Sequence, residues 1–236
     1  MTETPSKRIS EATKAAENRA CSRILVAQDG YIIILKAIIA SHNGNKEIQK
    51  SLDSLQDNLG PTGLNVEHYF LSMLFLDLVA EVELFFSQVV RSVITEYPKK
   101  VGSVTFKLSE VIDANDVEGL VSRAVDEQMN KLMYKKPLDY LQSMCELISI
   151  EKGPLIEGWK LYIEAKARRD LGVHNQWKCN PTYLRKLEEG GISTDANIGD
   201  SLFPKYEDYL KPLNHGLLSL ITIFGTKVKF KYAQNK

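Results

Sequence analysis

Helical segments dominate the pattern of apolar and polar positions along this chain. The longest of them extends from Asn65 to Tyr97, has no internal proline or glycine, and ends before Pro98. Asn65 is a favourable N-terminal cap, because its side chain can accept a hydrogen bond from the first helical turn. The apolar residues occupy most of the circumference, so this segment is predicted to be a central, deeply packed helix.

The first sixty residues are predicted to form a separate helical arm. Residues 10–27 are rich in Ala, Glu and Arg, which favour helix, and the apolar run 24–40 continues it with Gly30 as a break point. A turn at 41–45 and a short helix at 46–58 follow. The glycines and proline of 60–63 punctuate the chain, so we expect an N-terminal arm over 1–60 and a main helical domain over 61–236.

The apolar run from Ile24 to Ala40 is interrupted by Gln28, Asp29, Gly30 and Lys36. In this form it is expected to be too short and too broken to span a bilayer, which takes about 20 apolar residues. The first ten residues are polar and lack the apolar core of a signal peptide. We therefore expect a cytoplasmic protein with no membrane partner.

The second half of the chain also reads as helices joined by loops. Helices are predicted over 115–134 and 138–150, and Gly153-Pro154 opens another that runs to His174. Residues 177–203 are mostly loop, with one short helix near 183–189. A last long helix begins at Pro204, and Pro212 should kink or split it. The whole pattern predicts an all-α bundle.

The composition says less about the function than the helix pattern says about the fold. The 236 residues include 30 Lys plus Arg and 30 Asp plus Glu, so the formal net charge is zero. Binding of nucleic acid would therefore need a local basic patch. The three cysteines are far apart and form no metal-ligand spacing with histidine, and no P-loop, GxGxxG or HExxH pattern is present. We predict no bound metal and no cofactor.

The candidate chemistry lies at the end of the helix predicted to stop near residue 174. A histidine moves protons near neutral pH, and an arginine matches phosphate oxygens with a permanently charged planar fork. Asp170 and His174 are four residues apart, so on a helix they share a face and could form a hydrogen bond that fixes the imidazole tautomer. The sequence of this segment is Arg169-Asp170-Leu171-Gly172-Val173-His174, followed by Asn175.

Glu83 is a candidate supporting residue in the long central helix. Its helical neighbours are mostly apolar, and a carboxylate among them is costly unless it is paired. It is either a partly exposed edge residue or a partner of Arg168 or Arg169 that orients the site. Asn175 tolerates the left-handed conformation, so it is predicted to stop the helix after His174.

The segment Arg168-Arg169-Asp170-Leu171-Gly172-Val173-His174-Asn175 resembles the signature of the HEPN superfamily. That signature is an arginine, usually followed by Asn, Asp or His, and then a histidine after four to six intervening residues. The run 120–150 also looks like those that precede the motif in uncharacterised bacterial members. The resemblance covers about residues 64–228. Relatives often continue His-Asn-Asn-Gly, whereas this chain continues with Gln176 and Trp177.

The resemblance implies a HEPN-like helical bundle and a metal-independent endoribonuclease, or a non-catalytic relative that binds RNA. Catalytic members are commonly toxins or anti-phage effectors, so an antitoxin or other defence-system protein is an expected partner. They usually act as homodimers, with two motifs facing one cleft. Carried over residue by residue, His174 would be the general acid or base, Arg169 would stabilise the transition state, and Asp170 would orient either of them.

Helix geometry leaves alternatives open for this motif. Residues five apart are separated by about 140° around a regular helix. Arg169 and His174 therefore converge on one phosphate only if the helix ends between them, as Gly172 would allow, or if a dimer shares the phosphate. The alternatives are ordinary surface contacts without chemistry, a HEPN-like dimer that binds RNA or a protein without cutting, and a regulator whose cleft is occluded by an antitoxin.

Overall fold

The computed structural model describes residues 3–62, 65–102, 105, 111 and 116–233. It is 82% helical, and the described residues form no strand, which confirms the predicted all-α class. The α-helices are α1 Pro5–His42, α2 Lys46–Leu59, α3 Val66–Glu96, α4 Val117–Met133, α5 Pro137–Ile148, α6 Ile156–His174, α7 Pro181–Glu189 and α8 Lys211–Ala233. The HEPN-specific arrangement of these helices stays a prediction.

Helix α3 forms the centre of the bundle, as its apolar circumference predicts. The Asn65 side chain caps it by accepting a hydrogen bond from the backbone N–H of His68 at 2.7 Å. The ring of Phe86 is fully buried and lies 5.0 Å, between centroids, from both Trp159 of α6 and Phe224 of α8. Aromatic contacts of this kind join the three helices into one core.

Helix α1 runs antiparallel to α3 along nearly its whole length. Arg8 near its start donates to Glu96 at 2.7 Å, whereas Tyr31 further along donates to Glu67 at 3.2 Å. The buried face of α1, which includes Ile24, belongs to the same hydrophobic cluster as α3 and α8. The division into an arm and a main domain after residue 60 stays a prediction. Helix α1, which belongs to the predicted arm, shares a hydrophobic core with α3 and α8.

The predicted break at Gly30 is wrong, because α1 is continuous from Pro5 to His42. A single glycine costs a helix about 1 kcal/mol, and packing of α1 against α3 outweighs that cost. The continuous helix is long and apolar enough to cross a membrane by length and composition alone, with a mean hydropathy of 1.7 over its most apolar 18 residues. By these two criteria, the expectation that the stretch is too short and too broken to span a bilayer is wrong. A core helix of a soluble protein passes the same test, so cytoplasmic localisation stays a prediction.

Two of the predicted prolines lie near the starts of the motif helix and of the last helix. Pro154 lies in a 3₁₀ turn, Gly153–Leu155, which leads into α6. Before α8 the residues Tyr206–Leu210 form a π-helical turn, and the α-helical hydrogen bonding starts at Lys211, directly before Pro212. Because proline has no N–H to donate, the change of helix type at this point accounts for the discontinuity predicted there.

Helix α7 lies against the end of α6 through a second, smaller hydrophobic cluster. This cluster consists of Ala167, Leu171, Cys179, Tyr183 and Leu187. Asn180 caps α7 by accepting a hydrogen bond from the N–H of Tyr183 at 2.9 Å. The packing fixes α7 beside the motif and brings its cationic residues close to the C-terminal half of α6.

Candidate functional site

The two central motif residues do not converge within one chain. Helix α6 is unbroken through His174, so Arg169 and His174 are separated by about 140° around its axis. Gly172 lies inside this helix. Had the helix ended at Gly172, Arg169 and His174 could have converged on one phosphate. The His174 side chain is exposed, and among the residues that the structure describes it has neither a hydrogen bond nor an ion pair.

Arg169 is held by carboxylates on two sides. Its Nη1 donates to Oε2 of Glu83 at 2.6 Å, and its Nη2 lies 3.3 Å from Oδ1 of Asp170. The other oxygen of Glu83 pairs with Lys166, one turn before Arg169 on α6. Of the two interpretations of Glu83, the structure therefore shows the paired one, and its arginine partner is Arg169.

The charges around Glu83 determine its protonation. Burial by itself raises the pKa of the Glu83 carboxyl, but the hydrogen bond from Lys166 and the charges of Lys166 and Arg169 outweigh it. The net pKa lies below the ordinary value, so Glu83 is ionised at neutral pH. Burial likewise opposes the charge on Arg169, and the proximity of Glu83 and Asp170 overcomes it and raises the arginine pKa.

Asp170 is paired with a lysine rather than with the histidine. Its Oδ2 accepts a hydrogen bond from Nζ of Lys186 on α7 at 2.6 Å, and its other oxygen faces Arg169. The expected hydrogen bond to His174 is therefore wrong, because two full positive charges compete better for this carboxylate than an imidazole does. Burial raises the pKa of Asp170, but Lys186 and Arg169 lower it by more than burial raises it. The net pKa of Asp170 is therefore below its ordinary value.

Arg168 belongs to a different contact set from Arg169. Its Nε donates to Oε1 of Glu164 at 2.7 Å, and its guanidinium lies 3.8 Å above the ring of Tyr209. Its Nη1 also donates to the carbonyl of Leu202 at 3.1 Å. The structure does not bring Arg168 to Glu83; it joins α6 to the segment before α8.

The turn after His174 differs from the predicted one. Asn175 has a φ of −142°, and the left-handed positions are Gln176 at 50° and Trp177 at 63°. The amide of Asn175 donates to the carbonyl of Lys178 at 2.6 Å, so its side chain stabilises the turn. A Cβ on Gly172 would lie 2.4 Å from the Trp177 ring, so this glycine allows the indole to pack across α6.

Sequence reasoning missed the two lysines that complete this cluster. Lys166 is three residues before Arg169, and that spacing alone places both on one face of α6. Lys186 comes from α7 and carries no local signal, because only the packing of α7 against α6 brings it to Asp170. Together Lys166, Glu83, Arg169, Asp170 and Lys186 form a chain of alternating charges, which we call the Arg169 network.

Within the described ranges, no group of three or more His, Cys, Asp or Glu residues is placed to hold a metal ion. No protein-family model matches the chain, and neither a curated protein nor a solved structure is significantly similar to it. The resemblance to the HEPN superfamily therefore stays a prediction that rests on residues 168–175 and the run that precedes them.

Proposed function

We propose that this protein is a metal-independent endoribonuclease of HEPN type that acts as a homodimer. The observation that carries the proposal is the arrangement at the end of α6. The imidazole of His174 is exposed and has no hydrogen-bond or ion-pair partner among the described residues, and Arg169 on the same helix is half-buried and fixed in place. A free proton-transfer group and a positioned cation suit attack on a phosphodiester when a second copy brings them to the same phosphate.

In the proposed reaction, the RNA 2′-hydroxyl attacks the adjacent phosphorus. One histidine takes the proton of the 2′-hydroxyl, the bond from phosphorus to the 5′-oxygen breaks, and a second histidine protonates that leaving oxygen. Arg169 stabilises the negative charge that develops on the phosphoryl oxygens. The products are a 2′,3′-cyclic phosphate and a 5′-hydroxyl. A single chain offers one His174, and the second comes from the other copy.

A dimer also addresses the angular separation of the motif residues. Arg169 and His174 of one copy lie about 140° apart around an unbroken helix. A two-fold arrangement of two α6 ends would let Arg169 of one copy and His174 of the other face the same phosphate. The placement of His174 and exposed Val173 at this end leaves it accessible to a second copy and to RNA.

The activity is tested with purified wild type and three variants on single-stranded RNA. We expect His174→Ala to lower the cleavage rate by about 10²–10⁴-fold and Arg169→Ala by about 10²–10³-fold. His42→Ala is the matched control, because His42 is also exposed at a helix end but lies far along the chain from the motif. Equal cleavage by wild type and His174→Ala would contradict the proposal.

The contacts of Arg169 favour a second candidate, a HEPN-like dimer that binds RNA or a protein without cutting. Its guanidinium already donates to Glu83 and faces Asp170, so a phosphate must compete with two carboxylates. In that case wild type and His174→Ala would bind RNA equally and neither would cleave it. The toxin or anti-phage role, and the antitoxin or other defence-system partner, belong to the proposal through the resemblance alone.

A further inference from the structure

A stripe of apolar side chains on helix α1 faces away from the bundle. The helix packs on α3 and α8 through a buried face that includes Ile24 and Tyr31. On the opposite face, five large apolar side chains are 36–64% exposed: Leu25, Val26, Ile32, Ile33 and Ile39. Soluble proteins rarely leave a large contiguous apolar patch exposed unless it binds something, so this stripe is a candidate contact surface.

The spacing of the stripe is seven residues. Leu25, Ile32 and Ile39 follow one another at that interval, and so do Val26 and Ile33. Because seven residues are close to two turns of an α-helix, each set forms a nearly straight row along α1. Apolar rows with this period are typical of a helix that lies along a second helix over several turns. The stripe therefore favours a long helical partner.

Two opposite charges lie on the centre line of the stripe, between its two apolar rows. They are Asp29 and Lys36, which are also seven residues apart and therefore about 10 Å apart along the helix axis. Both side chains are exposed, and among the residues that the structure describes neither forms an ion pair within the chain. A partner with the same two charges in the reverse order would pair with both.

A second copy of α1, laid antiparallel to the first, presents these charges in that reverse order. With a two-fold axis between Ile32 and Ile33, Asp29 of each copy lies opposite Lys36 of the other. The same register brings Ile32 and Ile33 next to their own counterparts at the axis, and it sets the ends of the apolar rows against each other. The stripe thus matches itself in both charge and apolar character.

We propose that this face of α1 binds the same face of a second copy, with the two helices antiparallel. The charges specify the register, because a shift along the helix leaves Asp29 and Lys36 unpaired in an apolar contact. They also disfavour a lipid surface as the occupant, since hydrocarbon offers Asp29 no cationic partner. The contact contains no residue of the Arg169 network, so it is independent of the proposed cleavage reaction.

The length of α1 limits the size of this contact. Because α1 ends at His42, the paired stretch is 23–42 in both copies, which is about 30 Å long. A single helix pair of this length makes a small interface, so the association should be weak and should depend on protein concentration. Joined to the shared site at the end of α6, a second two-fold contact gives assemblies larger than a dimer.

The test is sedimentation velocity of the full-length protein from micromolar to millimolar concentration. Wild type should associate as its concentration rises. Asp29→Lys and Lys36→Asp each turn both charge pairs into like-charged pairs, so each variant should associate at least about tenfold more weakly. Opposite charges face each other again in an equimolar mixture of the two variants and in the double variant Asp29→Lys/Lys36→Asp. Both should recover the association.

Matched controls test the charges and the apolar rows separately. Lys14→Asp should associate like wild type, because Lys14 is exposed on α1 but precedes the paired stretch. Ile33→Ser should weaken association at least about fivefold. Ile198→Ser should not, although Ile198 is 66% exposed and Ile33 is 64% exposed. Since all the changed side chains are exposed, these variants should fold.

Three results would overturn the proposal. The first is association that is unchanged in Asp29→Lys and Lys36→Asp, including the same mass for wild type and every variant at all concentrations. The second is a double variant that associates as weakly as either single variant. The third is wild type that binds phosphatidylcholine vesicles and does not associate with itself. A dimer that shares only the α6 site keeps its mass in all of these variants, so the two contacts are measured separately.

Discussion

Glu83 decides how Arg169 is held at the end of α6. Its two oxygens accept from Lys166 and Arg169, so one carboxylate on α3 fixes two cations on α6. Apolar neighbours along α3 indicated that such a carboxylate needs a partner. The sequence could not show which arginine pairs with Glu83, because Arg168 and Arg169 are adjacent and only the rotation of α6 against α3 distinguishes them.

Replacing Glu83 with Gln should destabilise the protein by about 1–3 kcal/mol at pH 7, since the half-buried cations lose a charged acceptor. The pKa of Glu83 is lower in the folded state than its ordinary value. This stabilisation is therefore complete above pH about 4.3 and is lost as the pH falls through the folded-state pKa.

Urea unfolding of wild type and Glu83→Gln from pH 7 to pH 3 measures this dependence. The difference in free energy of unfolding should be largest near neutral pH and should shrink in acid. Glu157→Gln is the control, because Glu157 is 86% exposed and pairs only with its helical neighbour Lys160 among the described contacts. A difference between wild type and Glu83→Gln that is the same at every pH would contradict the assigned pairing.

Two glycines inside helices should respond to alanine with opposite signs. At Gly30 the added Cβ meets only a Leu74 methyl carbon at 3.8 Å, so Gly30→Ala should stabilise by about 0.5–1 kcal/mol. At Gly172 it would lie 2.4 Å from the buried Trp177 ring, so Gly172→Ala should destabilise by about 1–3 kcal/mol. Denaturant midpoints measure both, and stabilisation by Gly172→Ala would contradict the packing of the turn.

The crossing of α6 and α8 sets the position of the motif helix in the bundle. Gly158 of α6 lies under Leu220, and Gly216 of α8 lies under Leu161, so each helix presents a glycine to a leucine of the other. Leu220 is buried, whereas Leu161 is 42% exposed. The two contacts therefore differ in how easily the leucine can move.

Gly158→Ala should destabilise more than Gly216→Ala. The added Cβ at Gly158 would approach the Cβ of Leu220 at 2.9 Å, next to the backbone of a buried residue, so the helices must separate. At Gly216 it would meet the terminal methyl of Leu161, which can rotate into solvent. Thermal melting of the two variants compares them, and an equal loss would show that the leucine exposure does not govern the crossing.

Helix starts were predictable because their signals are local. Asn65 caps α3, Pro154 precedes α6, and Pro181 opens α7 close to the expected short helix. The ends of α3 before Pro98 and of α6 at His174 were predicted as well, whereas the conformation of the turn after α6 was not, because it depends on packing. The left-handed turn after α6 falls on Gln176 and Trp177 rather than on Asn175, since Trp177 packs across Gly172.

The whole molecule brings together residues that no local pattern connects. Helix α1 packs along α3 and α8, and its opposite face leaves several large apolar side chains exposed, including Leu25, Val26, Ile33 and Ile39. A cavity of about 360 Å³ is lined both by the turn between α4 and α5 and by α7, about 50 residues later in the chain. Such combinations depend on how the helices pack, so the pattern of apolar residues within one helix does not predict them.

A homodimer that uses His174 of both copies predicts that one inactive copy silences the pair. When equal amounts of wild type and His174→Ala are unfolded together and refolded, about half of the dimers contain one copy of each and therefore a single His174. These mixed dimers lack one of the two proton-transfer groups, so the cleavage rate should fall to about half of that of the same amount of wild type refolded alone. An undiminished rate, with the mixed dimers verified, would contradict the shared site.

The most direct test of the central claim is the chemistry of the RNA ends. Wild type and His174→Ala are incubated with RNA in EDTA, and the termini of the products are analysed. We expect wild type to give 2′,3′-cyclic phosphate and 5′-hydroxyl ends despite the chelator, and His174→Ala to give none. Products with 3′-hydroxyl and 5′-phosphate ends, or cleavage that persists in His174→Ala, would contradict the account.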